Sequence, residues 1–215
     1  MKNILRVTTT AAHDFEPRDL VGGHRVLDFV NTVTARDADD PIDWLDGYGR
    51  LLDWSVLAGV IGTTEGQKLS AAAQAAPARA AAALERAKWL REALHDLFAA
   101  NVDGAPPPGA ALDRLDSDWK EAINRARLGA AGGAIEPALS EAASGLELVS
   151  DRLALAAVPL LADLPAGRLR RCAGPRCGWI FVDVSKAGRR IWCDMATCGN
   201  AAKSRRHYGR RRNPG

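Results

Sequence analysis

Long apolar stretches are absent from this chain of 215 residues. No apolar run approaches the length of about 20 residues that crosses a bilayer, which argues against a membrane protein. The first ten residues, from Met1 to Thr10, also lack an apolar core of signal-peptide length. We therefore expect a cytoplasmic protein whose thiols remain reduced.

Histidine is scarce, and no catalytic motif accompanies it. The four histidines lie on separate segments and belong to no nucleophile or metal motif: His13, His24, His95 and His207. The Gly22-Gly23 pair lacks the further glycines and the strand context of a nucleotide-binding fingerprint. We expect a protein that is not an enzyme, and a small-molecule enzyme in the N-terminal region is the weaker alternative.

Cysteine is equally scarce, but its placement is informative. All four cysteines lie near the C-terminus, as Cys172-x4-Cys177 and, after fifteen residues, Cys193-x4-Cys198. Two thiol pairs on short loops, separated by the length of a hairpin, suit a tetrahedral structural zinc with four thiolate ligands. Two disulfides or redox-active thiols are the alternatives, although a reducing compartment and the lack of C-x-x-C disfavour them.

The residues around the two pairs predict a small zinc module. Gly178 to Val184 is β-branched and aromatic, Gly188 supplies a turn, and Arg190 to Trp192 returns to an extended pattern, so a β-hairpin is expected between the pairs. A helix is expected to begin near Thr197 or Cys198. Knuckle, hairpin and helix together predict a treble-clef-like zinc finger, and Zn2+ ligation should contribute much of its folding energy.

Cys172-x4-Cys177-Gly-Trp-Ile-Phe-Val-Asp, followed by Trp192-Cys-x4-Cys-Gly-Asn, resembles the CGNR zinc finger. Ala201 stands where the family name places an arginine. Leu27-Asp-Phe-Val-Asn-Thr32 resembles the opening of the ABATE domain, which usually precedes this finger in bacterial stress-induced transcription regulators. The resemblance implies a transcription regulator that binds DNA.

The net charge of +3 conceals an asymmetric distribution. Residues 168–215 contain thirteen Lys and Arg against two acids, whereas residues 1–167 contain sixteen bases and twenty-four acids. A concentrated positive module indicates a polyanion partner, and DNA is our expectation. The alternatives are a solvated basic tail, a protein-interaction module, and RNA stacked on Trp179, Phe181 or Trp192.

The predicted C-terminal helix and its tail carry the candidate nucleic-acid contacts. Lys203, Arg206 and Arg210 share a helical face and would contact phosphates. Base edges are assigned to three further residues: Asn200, Arg205 and His207. Arg211 and Arg212 extend the basic run.

The rest of the chain predicts a mostly α fold with a minor β element. We expect a helical domain over residues 1–165 that senses a signal or forms a homodimer, and the finger over residues 168–215. Helical spacing of Val26, Phe29, Val30 and Val33 predicts a helix. On its other side Asp28 and Asn31 could line a pocket for a small-molecule effector, or bond to nearby backbone.

Further helices are expected along this domain, with Pro77 at the start of the longest and Pro159 within the last. The segments Ala134 to Glu136 and Leu146 to Val149 are both extended in pattern, and a small hairpin between them is predicted.

Overall fold

A computed structural model describes residues 9–131, 133–164 and 167–205. Helices dominate it, as predicted, and no helix within these ranges is both long and apolar enough to span a bilayer. The helices are Arg25–Val30 (α1), Tyr48–Leu57 (α2), Thr63–Ala75 (α3), Pro77–Val102 (α4), Gly109–Arg125 (α5), Glu141–Ser144 (α6) and Leu148–Asp163 (α7). Short 3-10 helices occur at Pro17–Asp19 and Gly145–Glu147.

Three small sheets lie within the described residues. The first has the order β1-β3-β2 and is formed by Thr9–Thr10 (β1), Val33–Thr34 (β2) and Ile42–Asp43 (β3). Two antiparallel pairs follow: Arg127–Ala131 (β4) with Ala134–Ala138 (β5), and Leu169–Arg171 (β6) with Ile180–Val182 (β7). The minor β element is therefore confirmed.

Helix α4 lies at the centre of the main core. It begins at Pro77, where the missing N–H of proline costs little, and it contacts α1, α2, α3, α5 and α7. Leu90, Leu94 and Phe98 lie on its buried side. Because this helix touches nearly every other helix, it fixes the positions of the shorter elements around it.

A buried charge network joins α4 to the first sheet. The guanidinium of Arg91 donates to both carboxylate oxygens of Asp43, at 2.7 and 2.9 Å. Its neighbour Glu92 accepts from Arg36, which follows β2, at 2.7 Å. Although burial opposes the shift, Arg36 and Arg91 lower the pKa of Glu92 to about 2. The network holds the loop after β2, which contacts the cysteine-rich region.

Two sequence predictions about the helical region are corrected. Helix α1 ends at Val30, and Val33 lies in β2, where it pairs with Asp43. The strand β5 pairs with β4, whereas Leu146 to Val149 is helical and its apolar residues pack in the main core. Short apolar runs fit both the helical and the extended repeat, so the burial available in the fold decides which structure forms.

Candidate metal centre

The four cysteines form one cluster. The sulfur atoms of Cys172, Cys177, Cys193 and Cys198 all lie within 4.8 Å of one another. The Sγ atom of Cys193 is 3.7 Å from Sγ of Cys177 and 3.7 Å from Sγ of Cys198. All four cysteines are free, and Cys172 and Cys193 are buried. The chain thus brings together four thiols from residues 172–198, a segment that would span about 90 Å if it were fully extended.

This geometry fits Zn2+. Four sulfurs at about 2.3 Å from a zinc ion form a tetrahedron with edges of about 3.8 Å, close to the observed 3.7 Å. A Cβ at Gly174 would lie 3.0 Å from Sγ of Cys198 and 3.4 Å from Sγ of Cys172. Glycine therefore lets the loop between the first two cysteines approach the sulfur atoms.

The chemistry of the thiols also favours a cation. The neighbouring thiols of Cys177 and Cys193 hold the pKa of Cys172 well below its usual range. The backbone N–H groups of Cys193 and Gly174 contribute, at 3.3 and 3.4 Å from its sulfur. The pKa of Cys198 is raised by burial and by the charge of Cys172. Four adjacent thiols can ionise together only beside a bound cation, and this donor set is that of structural zinc.

Strands β6 and β7 carry the first cysteine pair between them. Their ladder continues across the knuckle, where the N–H of Cys172 donates to the carbonyl of Trp179 at 2.8 Å. The predicted pairing of this strand with Arg190 to Trp192 is wrong. That segment lies beside the knuckle instead, through a 3.0 Å bond from the N–H of Ala173 to the carbonyl of Ile191.

The last cysteine lies in the first turns of the C-terminal helix, as predicted. A π-helical turn, Met195–Gly199, continues as an α-helix over residues 200–205. The helix begins two residues before the predicted start because the carboxylate of Asp194 accepts the N–H of Thr197 at 2.8 Å. Knuckle, strand pair and helix therefore form the expected treble-clef-like arrangement.

The cysteine region is bonded to the helical region. The side-chain amide of Asn31 donates to the carbonyl of Ile180 at 2.9 Å and accepts its N–H at 3.0 Å. The indole N–H of Trp179 donates to the carbonyl of Val33 at 3.0 Å. Gly178 has a φ of +68°, and a Cβ there would lie 2.7 Å from Cβ of Arg36.

These contacts give the predicted pocket residues structural partners. Both polar ends of the Asn31 side chain engage Ile180. Asp28 is buried and accepts the N–H of Gly22 at 2.8 Å, and burial raises the pKa of its carboxyl to about 6. Asp28 therefore bonds to nearby backbone, whereas Asn31 bonds to backbone 149 residues away, which no local pattern contains. The small-molecule pocket at these two residues stays a prediction.

The candidate nucleic-acid residues are placed in part. Asn200, Lys203 and Arg205 are exposed on the C-terminal helix, and the amide of Asn200 donates to the carbonyl of Ala196 at 3.1 Å. The other five candidates lie outside the described residues: Arg206, His207, Arg210, Arg211 and Arg212. Trp179 and Phe181 are buried beside the cysteines, which favours core packing over base stacking.

Sequence reasoning missed two residues that shape this centre. The signal for Gly174 is local, because a glycine inside a ligand loop lets the backbone approach the ligands closely. Trp44 packs against Trp179 edge to face, with 5.5 Å between ring centroids, and it joins the core around the cysteines. No local pattern links these two tryptophans, since they are far apart in sequence.

A four-cysteine cluster on a knuckle, a strand pair and a helix defines a zinc finger protein. The model of the CGNR zinc finger matches residues 168–211. The ABATE model, described as "Putative stress-induced transcription regulator", matches residues 23–164. Because the second match covers most of the chain, this protein belongs to the ABATE family, with a C-terminal CGNR zinc finger. No curated protein matches the chain.

Proposed function

We propose that this protein regulates transcription by binding DNA through its zinc finger. The observation that carries the proposal is the position of the basic residues. Lys203 and Arg205 are exposed on a helix whose first turns contain the zinc ligand Cys198. Zinc ligation fixes the start of this helix, so its cations are presented on a rigid element.

The electrostatics of the chain support the same partner. The finger region has an excess of eleven positive charges, and residues 1–167 have an excess of eight negative charges. A phosphate backbone is attracted to the finger and repelled by the acidic region, which orients the protein on DNA. Lys203 would contact phosphates together with Arg206 and Arg210, whereas Asn200, Arg205 and His207 would reach base edges.

Binding of zinc-loaded protein to a pool of random duplex DNA across a salt series tests the proposal. Log-linear loss of affinity with salt is expected, because cations that contact phosphates release counterions. The slope of log affinity against log salt concentration reports the number of phosphate contacts. Lys203→Ala/Arg206→Ala should lower its magnitude by about 1 to 2, at about 0.9 for each phosphate contact. The assay measures the dissociation constant at each salt concentration.

A matched control separates contact from net charge. Arg79→Ala/Arg127→Ala removes two exposed cations from the helical region and should leave the slope unchanged. If wild-type protein shows no affinity for duplex DNA at moderate salt, DNA binding is excluded, and the finger is a protein- or RNA-interaction module.

We assign a non-catalytic role to the helical region, either signal sensing or dimerisation. A cavity of about 460 Å³ lies beside α2, α3 and α4, with Tyr48, Leu52 and Leu84 in its wall. This cavity is the place where a small-molecule effector would bind. The β4–β5 hairpin exposes Leu128 (81%) and Ile135 (77%), which suits contact with a second copy of the chain.

A further inference from the structure

A cluster of arginines lies on the finger outside the C-terminal helix. A cavity of about 400 Å³ lies between β6 and residues 188–191, and four arginines line it: Arg170, Arg171, Arg189 and Arg190. No Asp or Glu is among the described residues that line it. We refer to this cavity as the arginine cleft.

The walls of the arginine cleft are held by bonds within the finger. The N–H of Ala173 donates to the carbonyl of Ile191 at 3.0 Å, and the guanidinium of Arg170 donates to the carbonyl of Gly188 at 3.0 Å. Arg171 directly precedes the ligand Cys172, whose sulfur accepts the N–H of Cys193 at 3.3 Å. The cysteine cluster thus supports both sides of the cleft.

The four arginines differ in how far they are already engaged. The guanidinium of Arg190 lies 4.4 Å from the ring centroid of Phe181 and donates to the carbonyl of Trp192 at 2.9 Å. Arg190 therefore packs within the finger. Arg171 forms an ion pair with Asp103 at 3.0 Å. Arg170 and Arg189 have no acidic partner among the described residues. Their positive charge is therefore available to an anion.

We propose that the arginine cleft binds a backbone phosphate of duplex DNA. Arg170 and Arg189 supply the charge, and Arg171 adds a guanidinium shared with Asp103. Guanidinium groups match phosphate oxygens with paired N–H donors, and such charge-assisted bonds are strong. The inference rests on the proposed function, and it adds a second contact surface, formed by the strand pair, to that of the C-terminal helix.

The test compares Arg170→Ala/Arg189→Ala with wild-type protein in the salt series on duplex DNA. The slope should fall by about 0.9, as expected for the loss of one phosphate contact. Arg170→Lys/Arg189→Lys keeps the charges and should keep most of the slope. Arg79→Ala/Arg127→Ala removes the same net charge from the helical region, where both side chains are exposed, and should change nothing.

Zinc content and circular dichroism establish that each variant is folded. Should the double alanine variant lose zinc, the single Arg189→Glu replaces it, because this exposed side chain has no hydrogen-bond or ion-pair partner among the described residues. It should lower both the slope and the affinity.

The outcomes separate the two proposals. If wild-type protein binds duplex DNA and the cleft variants leave the slope unchanged, the cleft proposal is overturned, and DNA binding by the C-terminal helix still stands. If the cleft variants change the slope on single-stranded RNA but not on duplex DNA, the cleft binds RNA, and the proposal that it binds duplex DNA is also overturned. Absence of wild-type binding to duplex DNA excludes the proposed function and the cleft together.

Discussion

Ala201 occupies the position at which the CGNR name places an arginine, and its side chain is exposed on the C-terminal helix. It lies between Asn200 and Lys203 and follows the ligand Cys198 by three residues. A longer side chain at this exposed position requires no repacking. The natural sequence therefore lacks one cation on a surface that we propose contacts DNA.

Ala201→Arg is expected to tighten binding to duplex DNA and to increase the salt slope by about 0.9, through one added phosphate contact. The same salt series measures it. Ala72→Arg, at an exposed position of α3, is the control for net charge and should leave the slope unaltered. An unaltered slope in Ala201→Arg as well would remove this position from the contact surface.

At the scale of elements, the side chain of Asn31 joins α1 to β7. Asn31 ends α1 and bonds both backbone groups of Ile180, so its amide acts as one more partner in the ladder of β7. Asn31 is 1% exposed, and water cannot replace either bond. The strand therefore depends on a helix that lies about 150 residues earlier in the chain.

Asn31→Ala should destabilise the protein by about 2–4 kcal/mol, because it leaves a buried N–H and a buried carbonyl of Ile180 without partners. Urea unfolding followed by circular dichroism measures this free energy. The control Asn124→Ala, at an exposed position of α5, should stay within about 0.5 kcal/mol of wild type. Equal effects of both substitutions would show that the Asn31 bonds contribute no stability.

At the scale of the whole molecule, the finger and the helical region share a core. Leu169 and Ile180 belong to the main hydrophobic cluster, whereas Trp179 and Phe181 pack with the cysteines. Successive residues of β7 point to opposite sides, so one strand contributes to both clusters. Zinc ligation and the packing of the helical region are therefore coupled through this strand.

Cys193→Ser should lower zinc content and the melting temperature of the entire chain, with one transition rather than two. Calorimetry and elemental analysis measure these quantities, and a chelator added to wild type should have the same effect. Ser204→Ala, on the same helix and exposed, is the control. A separate, unshifted transition of the helical region would contradict the coupling. The division into two folding units, residues 1–165 and 168–215, stays a prediction that this experiment addresses.

The sequence by itself determined the ligand set, the helical class and the charge asymmetry. Cys172-x4-Cys177 and Cys193-x4-Cys198 are local patterns whose chemistry follows from spacing, and Pro77 marks a helix start for a local reason. Only the tertiary structure decided the partner of β7, the roles of Asp28 and Asn31, and the arginine cleft. The Asn31 bonds join segments 149 residues apart, and no local pattern fixes the other pairings. Burial and unpaired backbone groups therefore select among several locally acceptable pairings.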